Sequence, residues 1–401
     1  VFGAVPKSGC VLYTGAFRFP DHDAAAFRVF SIAQLLTSSG LTVAFAGWER
    51  HDHGKAHYKY RGYACFPQDE FRSGAVNSFN RLLGFLFRGH RTLRWIWKHR
   101  KDFEAIVAYN PPALFALVLL LLGKICNFKV ILDSTEWYES THLVGGFYGF
   151  ASIENWLRMN LIYKLFDHVI CISTFLEKHY LSKNVMRVPP LMPMYQLESV
   201  PKPPIRQGIS LIYAGEAGKK DQLAAFISSL GHVREKVGVS LQLNIVGMNW
   251  RELSELLNSH GLNPQSFSSL VVCHGWVPRE QVLRLYAGCH FSVLFRDFKR
   301  YALAGFPTKA MESLAYGCPI ITNAVGDLSK FAENNVNALV MSESEIARQL
   351  PTMLVETMSD SRYVLMADAA RRTAIELFSP IAYQEEFSEF IESVLGRKLR
   401  D

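Results

Sequence analysis

Paired cysteines are missing from this chain. Its seven cysteines stand at 10, 65, 126, 171, 273, 289 and 318, with no C-x-x-C and no cluster. That spacing argues against a disulfide framework and a zinc site, and it fits free thiols in a reducing compartment. Long apolar runs are also missing. The longest, Pro112 to Gly123, is too short to cross a bilayer, and its setting between two expected strands predicts a buried helix. The opening residues carry no secretory pattern, so a cytoplasmic protein is expected. The dinucleotide fingerprint G-x-G-x-x-G is absent, and no metal-binding D-x-D closes an expected strand. Acid is absent from residues 81–101.

What is present is a globular composition. The 401 residues are 49% hydrophobic and 20% charged, enough for large cores and for two or more domains. The net charge of +7 lies wholly in residues 1–200, which hold 22 Lys and Arg against 15 Asp and Glu. An acidic partner for that half is expected. Within it, Arg81, Arg88, Arg91, Arg94, Lys98, Arg100 and Lys101 alternate with Leu82, Leu83, Phe85, Leu86, Phe87, Trp95, Ile96 and Trp97. Two readings of 81–101 are open: an interfacial segment on an anionic membrane, or a helix packing its apolar side on a core with a solvated basic face. Nucleic acid is a weaker third, since no recognised binding motif accompanies the charge.

Alternation of strand and helix runs through the whole chain. Val11 to Thr14 reads as a strand ending in Gly15, followed by a helix from about Ala24 to Ser38, a stop at Gly40 and a second strand from Leu41 to Ala46. Strands follow at 106–109, 129–133 and 167–173, the last delivering Ser173 to the cap of a short helix. Six of the 17 prolines then fall between Pro189 and Gly208, which reads as an extended connector. The alternation restarts at Ser210 and runs past Phe295. Ser379-Pro380 opens a last helix, through about Leu395, that can return across the connector. The expected organisation is therefore α/β, with Rossmann-like doubly wound parallel-sheet domains at 1–188 and 209–378, a linker at 189–208 and a returning helix at 379–401.

Four loops at expected strand ends carry chemistry. Gly305-Phe306-Pro307-Thr308-Lys309-Ala310-Met311-Glu312 reads as a glycine-opened loop, a proline starting a helix and a carboxylate one turn in. Free N–H groups and the positive dipole end suit an anion, and Glu312 can reach a hydroxyl pair. Gly215-Glu216-Ala217-Gly218-Lys219-Lys220 offers two glycines for close backbone approach and two point charges for phosphate. A plain surface loop is the competing reading. Both lie at carboxyl ends of strands of one expected sheet, where they can converge on one crevice. His274-Gly275-Trp276-Val277-Pro278 exits nearby, either presenting amides to a nucleobase edge or making a simple turn. In the first half, Asp133-Ser134-Thr135-Glu136-Trp137-Tyr138-Glu139-Ser140 gathers three carboxylates and two aromatics, a pairing that fits carbohydrate. A capped, solvated loop is again the alternative.

Tyr213-Ala214-Gly215 with Gly218-Lys219-Lys220, Asn244-Ile245-Val246-Gly247, His274 to Pro278 and Gly305 to Ile321 together resemble the donor-binding domain of retaining glycosyltransferases of family four, of the GT-B fold and the polysaccharide-biosynthesis type. The first half is similar to the acceptor domain more loosely. This resemblance implies two domains facing a central cleft and a transferase that moves a sugar from a nucleotide-diphosphate sugar to a hydroxyl of a glycan or lipid-linked glycan. It further implies retention of configuration, no metal and no cofactor beyond the co-substrate. By similarity Glu312 meets the donor ribose, Lys220 neutralises the diphosphate, and Gly305, Phe306, Pro307, Thr308 and Lys309 hold phosphate and sugar. Gly15, Gly215, Gly218, Lys219 and Val277 complete the donor-binding set, and Asp133, Glu136 and Trp137 border the acceptor, with Glu136 also beside the reacting carbon. The family pattern is broken at Ala304, where a glutamate is common, and at Glu216, where an arginine is. A sugar-nucleotide epimerase of the same plan and a non-catalytic scaffold are the alternatives.

Overall fold

Residues 9–19, 24–50, 57–70, 84–181, 183–192, 204–215 and 221–399 are described by a computed structural model. The chain separates into two compact units, Val1–Leu191 with Pro380–Asp401, and Met192–Ser379.

In the first unit the strands are β1 Cys10–Gly15, β2 Thr42–Gly47, β3 Tyr58–Tyr60, β4 Tyr63–Cys65, β5 Ala105–Tyr109, β6 Lys129–Ser134, β7 His168–Cys171 and β8 Asn184–Arg187. They form one sheet in the order β3-β4-β2-β1-β5-β6-β7-β8, with only the β3–β4 pair antiparallel. All six residues of β1 are buried, as expected for a parallel strand covered on both faces. Helix α1, Ala24–Ser38, lies against the last helix of the chain, whose Phe387, Phe390, Ile391 and Val394 join the same core. Arg397 fixes that return by donating to both oxygens of Glu104, at 2.9 and 2.8 Å.

Two helices of this unit bear on the readings left by the sequence, one matching the packed alternative for 81–101 and one departing from expectation. Helix α2, His90–Lys98, buries Thr92 and Ile96. Its Trp95 packs on Phe66 and Phe103, with ring centroids 5.1 and 5.9 Å away. The Glu70 carboxylate accepts the N–H groups of Gly89 and Thr92 at its start, so the basic helix is packed and capped. Residues 81–83 lie outside the described residues. Helix α3, Ala113–Cys126, is the long apolar run, yet it buries only Phe115, Ala116, Leu119 and Gly123. Leu114, Leu121 and Ile125 are exposed, so the expected buried helix is a surface helix that covers the sheet with one side. Helix α4, Phe150–Leu157, continues into a π-helical turn at Arg158–Ile162. Helix α5, Thr174–His179, is capped by Ser173 Oγ.

The proline-rich stretch is described only at its ends. Pro189 and Pro190 are buried, and residues 193–203 lie outside the described residues. The second unit follows with strands β9 Ile209–Ala214, β10 Leu241–Val246, β11 Val271–Gly275, β12 Phe291–Leu294, β13 Ile320–Thr322 and β14 Ala338–Val340. Their order, β11-β10-β9-β12-β13-β14, is wholly parallel. Helices α6 Leu223–Val237, α7 Trp250–Ser259, α8 Arg279–Gly288, α9 Arg300–Ala304, α10 Thr308–Ala315, α11 Ile346–Thr357 and α12 Asp360–Phe378 alternate with them, and α13, Gln384–Leu395, is the returning helix. This is a doubly wound sheet whose order reverses between β9 and β12. Open sheets of this kind keep ligands at that switch point, outside the carboxyl ends of the strands.

Candidate functional site

At the second unit's switch point β9 is followed by Gly215, and residues 216–220 lie outside the described residues. The positions of Gly218, Lys219 and Lys220 are therefore not described, nor is that of Glu216. The chain returns at Asp221, which bridges to Arg296 just beyond β12. Asp221 accepts from Lys309 Nζ at 2.6 Å, from Tyr213 Oη at 2.7 Å and from Arg296 Nε at 3.0 Å. The Lys309 ammonium also lies 4.4 Å from the centre of the Tyr213 ring, a cation–π contact. Two cations thus share one carboxylate, leaving the cluster one positive charge in excess.

Burial and charge compete within this cluster. Burial alone raises the Asp221 pKa, but Lys309 and Arg296 outweigh it and hold the carboxyl below its ordinary value. Burial pulls Lys309 down from the usual lysine value, against the pull of Asp221 and with the repulsion of Arg296. Lys309 was expected to meet the donor, and in this structure its ammonium is paired with Asp221. Gly215 lies against the same ammonium. Its φ is +136°, and a Cβ there would meet Lys309 Nζ at 2.8 Å. The positive φ favours glycine here, while the lysine tip that a Cβ would meet is the movable end of a side chain.

The stretch 305–312 forms the second wall. Gly305, Phe306 and Pro307 connect α9 to α10, and Pro307 is the cap position of α10 rather than its first residue. The N–H groups of Thr308 and Lys309 open the helix without intrahelical acceptors, so the helix start expected from the sequence is present. The Phe306 ring packs within the unit, stacked on Phe331 at 5.6 Å with Phe378 edge-on at 5.6 Å. Ala304 is fully buried. A carboxylate there would need a partner inside the core, so the family's common acid does not fit the packing around this position.

Glu312 is held by a residue that the sequence does not single out. Arg279, opening α8, donates Nε and Nη2 to Glu312 Oε1 at 3.1 and 2.9 Å. The pair is 38% and 17% exposed, open enough for a ligand to reach. No spacing pattern points to it, since the partners lie 33 residues apart. Val277, just before Arg279, packs against the apolar cluster of Ile212, Ala214, Val246 and Leu283. His274 Nε2 lies 3.0 Å from Asn244 Oδ1, which fixes this strand exit to β10.

In the first unit, Asp133 is a correction. It was expected at the acceptor, but it is fully buried. Arg28 grips both its oxygens through Nε and Nη2, with a shortest distance of 2.7 Å, and Tyr13 Oη donates to it at 2.6 Å. Arg28 Nη1 also donates to the Val188 carbonyl at 2.8 Å, so the carboxylate fastens α1 and the chain after β8 to β6. Burial, and then Asp133, push the Tyr13 phenol well above its ordinary pKa. Gly15 is buried too, with φ +145°, and a Cβ there would meet the Tyr109 carbonyl at 2.5 Å. Its glycine is required by the neighbouring strand.

Glu136 and Trp137 remain as the reachable part of the acceptor stretch. Glu136 is half-buried and accepts the Tyr138 hydroxyl. Trp137 is half-buried against His179, 4.6 Å between ring centroids, and Phe175. Arg158, in the π-helical turn, donates to Asn155 Oδ1 at 3.1 Å, and its Nε is buried without a hydrogen-bond partner. Burial alone would lower the Arg158 pKa, and the surrounding Tyr163, Glu154 and Glu136 outweigh it and hold the guanidinium above its ordinary value.

Comparison with known proteins places this architecture. Residues 208–360 match the family described as glycosyl transferases group 1. No curated protein matches the sequence significantly. A sucrose-phosphate synthase from Thermosynechococcus elongatus superposes with a TM-score of 0.74 at 13% identity, over 96% of this chain and 99% of that one. HepE of Anabaena in complex with UDP and glucose gives 0.66 at 12% identity, over 96% and 99%. TarM gives 0.67 at 9% identity, over 96% and 98%. The fold is GT-B, with two Rossmann-like parallel-sheet units.

Proposed function

We propose that this protein is a glycosyltransferase that moves a sugar from a nucleotide-diphosphate sugar to a hydroxyl of a glycan or lipid-linked glycan, with retention and without a metal. The observation that carries the reading is the match of residues 208–360 to glycosyl transferases group 1, a span that holds Arg279, Glu312 and the open start of α10. The solved GT-B neighbour HepE, recorded with UDP-glucose, makes a uridine diphosphate sugar the first donor to try.

Breaking the bond between sugar and diphosphate leaves charge on the nucleotide. Donors fixed in place at the first turn of α10, together with Lys220, stabilise that charge as it develops and without reorganisation. Lys219 adds to the same field. Glu312, steadied by Arg279, accepts the ribose hydroxyls, and the surplus positive charge of Lys309 and Arg296 beside Asp221 supports the phosphates. The acceptor hydroxyl attacks from the face the nucleotide leaves, its proton passing to the leaving phosphate, so the anomeric configuration is kept. Two flanking protein carboxylates are unnecessary for this course. Glu136 and Trp137 border the acceptor. The protein acts in the cytoplasm, with the basic segment 81–101 in peripheral contact with an anionic membrane.

Transfer from a panel of nucleotide sugars to a lipid-linked or free glycan is the direct test. The variants Lys220→Ala and Glu312→Ala should each lose most of the transfer. Unchanged transfer in both would overturn the site assignment, and conversion of a nucleotide sugar with no acceptor present would replace transfer by epimerisation.

A further inference from the structure

The long apolar run of the first unit leaves one side of α3 uncovered, and the segment that packs against it is uncovered as well. Along α3, Leu114, Leu121 and Ile125 stand out of the surface. In the turns before α4, Phe147 is 75% and Tyr148 89% exposed, and on α4 itself Ile153 and Trp156 are half exposed or more. Leu157, Leu161 and Leu165 continue the stripe through the π-helical turn. Helices α3 and α4 and that turn are in mutual contact, so the exposed side chains stand on adjoining elements of one surface layer. Monomeric proteins rarely leave so many large apolar groups together in water.

Charge around the face selects its occupant. Between residues 140 and 165 the sole acid is Glu154, and its carboxylate is turned inward to accept the Ala113 N–H at 2.9 Å. Lys124 and Lys164 are exposed within the face. Helix α2, which packs on α3, belongs to a run of six Lys and Arg without an acid from 84 to 101. An apolar surface bordered by cations complements an anionic lipid interface, where rings and aliphatic chains enter and cations meet headgroups. A second copy of the chain would bring like charges together.

We infer that the face of α3, α4 and the π-helical turn inserts into an anionic lipid surface, with α2 supplying electrostatic attraction beside it. This deepens the membrane contact of the proposed function, on which it rests, and moves the penetrating element from the basic helix to the apolar face. Insertion differs from electrostatic attraction in its response to salt, which screens charges and leaves apolar burial intact.

Sedimentation with vesicles of zwitterionic lipid alone, and of zwitterionic with anionic lipid, at low and high salt, tests it. The unaltered protein should bind the anionic vesicles, and a fraction should remain bound at high salt. The triple variant Phe147→Ser, Tyr148→Ser, Trp156→Ser changes only exposed side chains and should weaken partitioning about a hundredfold. Arg94→Glu with Lys98→Glu should remove chiefly the salt-sensitive part. Equal binding by the triple variant and the unaltered protein overturns insertion while leaving the electrostatic contact standing. No binding to either vesicle overturns both. A dimer in light scattering that the triple variant makes monomeric assigns the face to a second copy and also overturns the inference. The vesicle readout uses neither nucleotide nor acceptor, so failure of sugar transfer leaves it unaffected.

Discussion

Each of the two sheets sets an aspartate among cations beyond or at the carboxyl end of a strand, and the two aspartates serve different ends. Asp133 and Arg28 are sealed, with side chains 0% and 4% exposed. Asp221 is nearly as buried, but its partners Lys309 and Arg296 reach the surface, and the neighbouring pair of Glu312 and Arg279 is more open still. The chemistry is the same in kind. What differs is access: a sealed pair can only fasten elements together, while an open pair can exchange a partner side chain for a ligand. A strand-end carboxylate is therefore a site candidate only once its exposure is known.

Four measurements would break or sharpen that contrast. Removing one partner of the sealed pair should have the largest effect. Asp133→Asn leaves the Arg28 charge uncompensated in the core and should cost roughly 3–5 kcal/mol in denaturant unfolding. A loss within the range of a surface substitution would mean that the pair is not sealed. At the open pair the signs should reverse. Glu312→Ala should leave stability within about 1 kcal/mol, as for exposed ion pairs, while lowering kcat/KM for sugar transfer by about a hundredfold or more.

The intermediate cluster should respond to acid. The Asp221 carboxyl is held below its ordinary value in the folded protein, so its contribution is fully present above the unfolded carboxyl value, about 3.9. That contribution is lost as the pH falls from there through the folded value. Asp221→Asn should flatten the acid limb of a stability–pH profile, at a cost of about 1–3 kcal/mol near neutrality. An unchanged acid limb would show that the cations do not depend on this carboxylate. The smallest effect is expected at Gly215→Ala, about 1–2 kcal/mol from its positive φ and the crowding of Lys309. If UDP binding fell with little change in stability, Gly215 would belong to the ligand after all.

Much of the fold was legible because its signals are local. The strand Cys10–Gly15 and the helix Ala24–Ser38 coincide with the expected ones to within a residue, being a continuous apolar run and a periodic segment closed by glycine. The short strands Tyr58–Tyr60, Asn184–Arg187 and Ala338–Val340 were missed. With three or four residues each, they are strands only because a neighbour supplies their hydrogen bonds. In the site, Glu312 and the start of α10 were legible from one contiguous motif. Arg279 was not, because nothing in its surroundings distinguishes an arginine that pairs with Glu312 from one that only opens a helix.

The sequence by itself determined that two alternating α/β halves would form, where their loops would lie, and that a helix would open beside Thr308. Strand and helix periods and glycine and proline punctuation act over a few residues, so they can be read without the fold. Tertiary structure alone decided which charges meet: Asp133 lies 105 residues from Arg28, and Lys309 lies 88 from Asp221. It also decided that the most apolar helix would cover its sheet with one side and leave the other bare. Burial depends on what packs against a segment, and that is fixed only when distant parts of the chain come together.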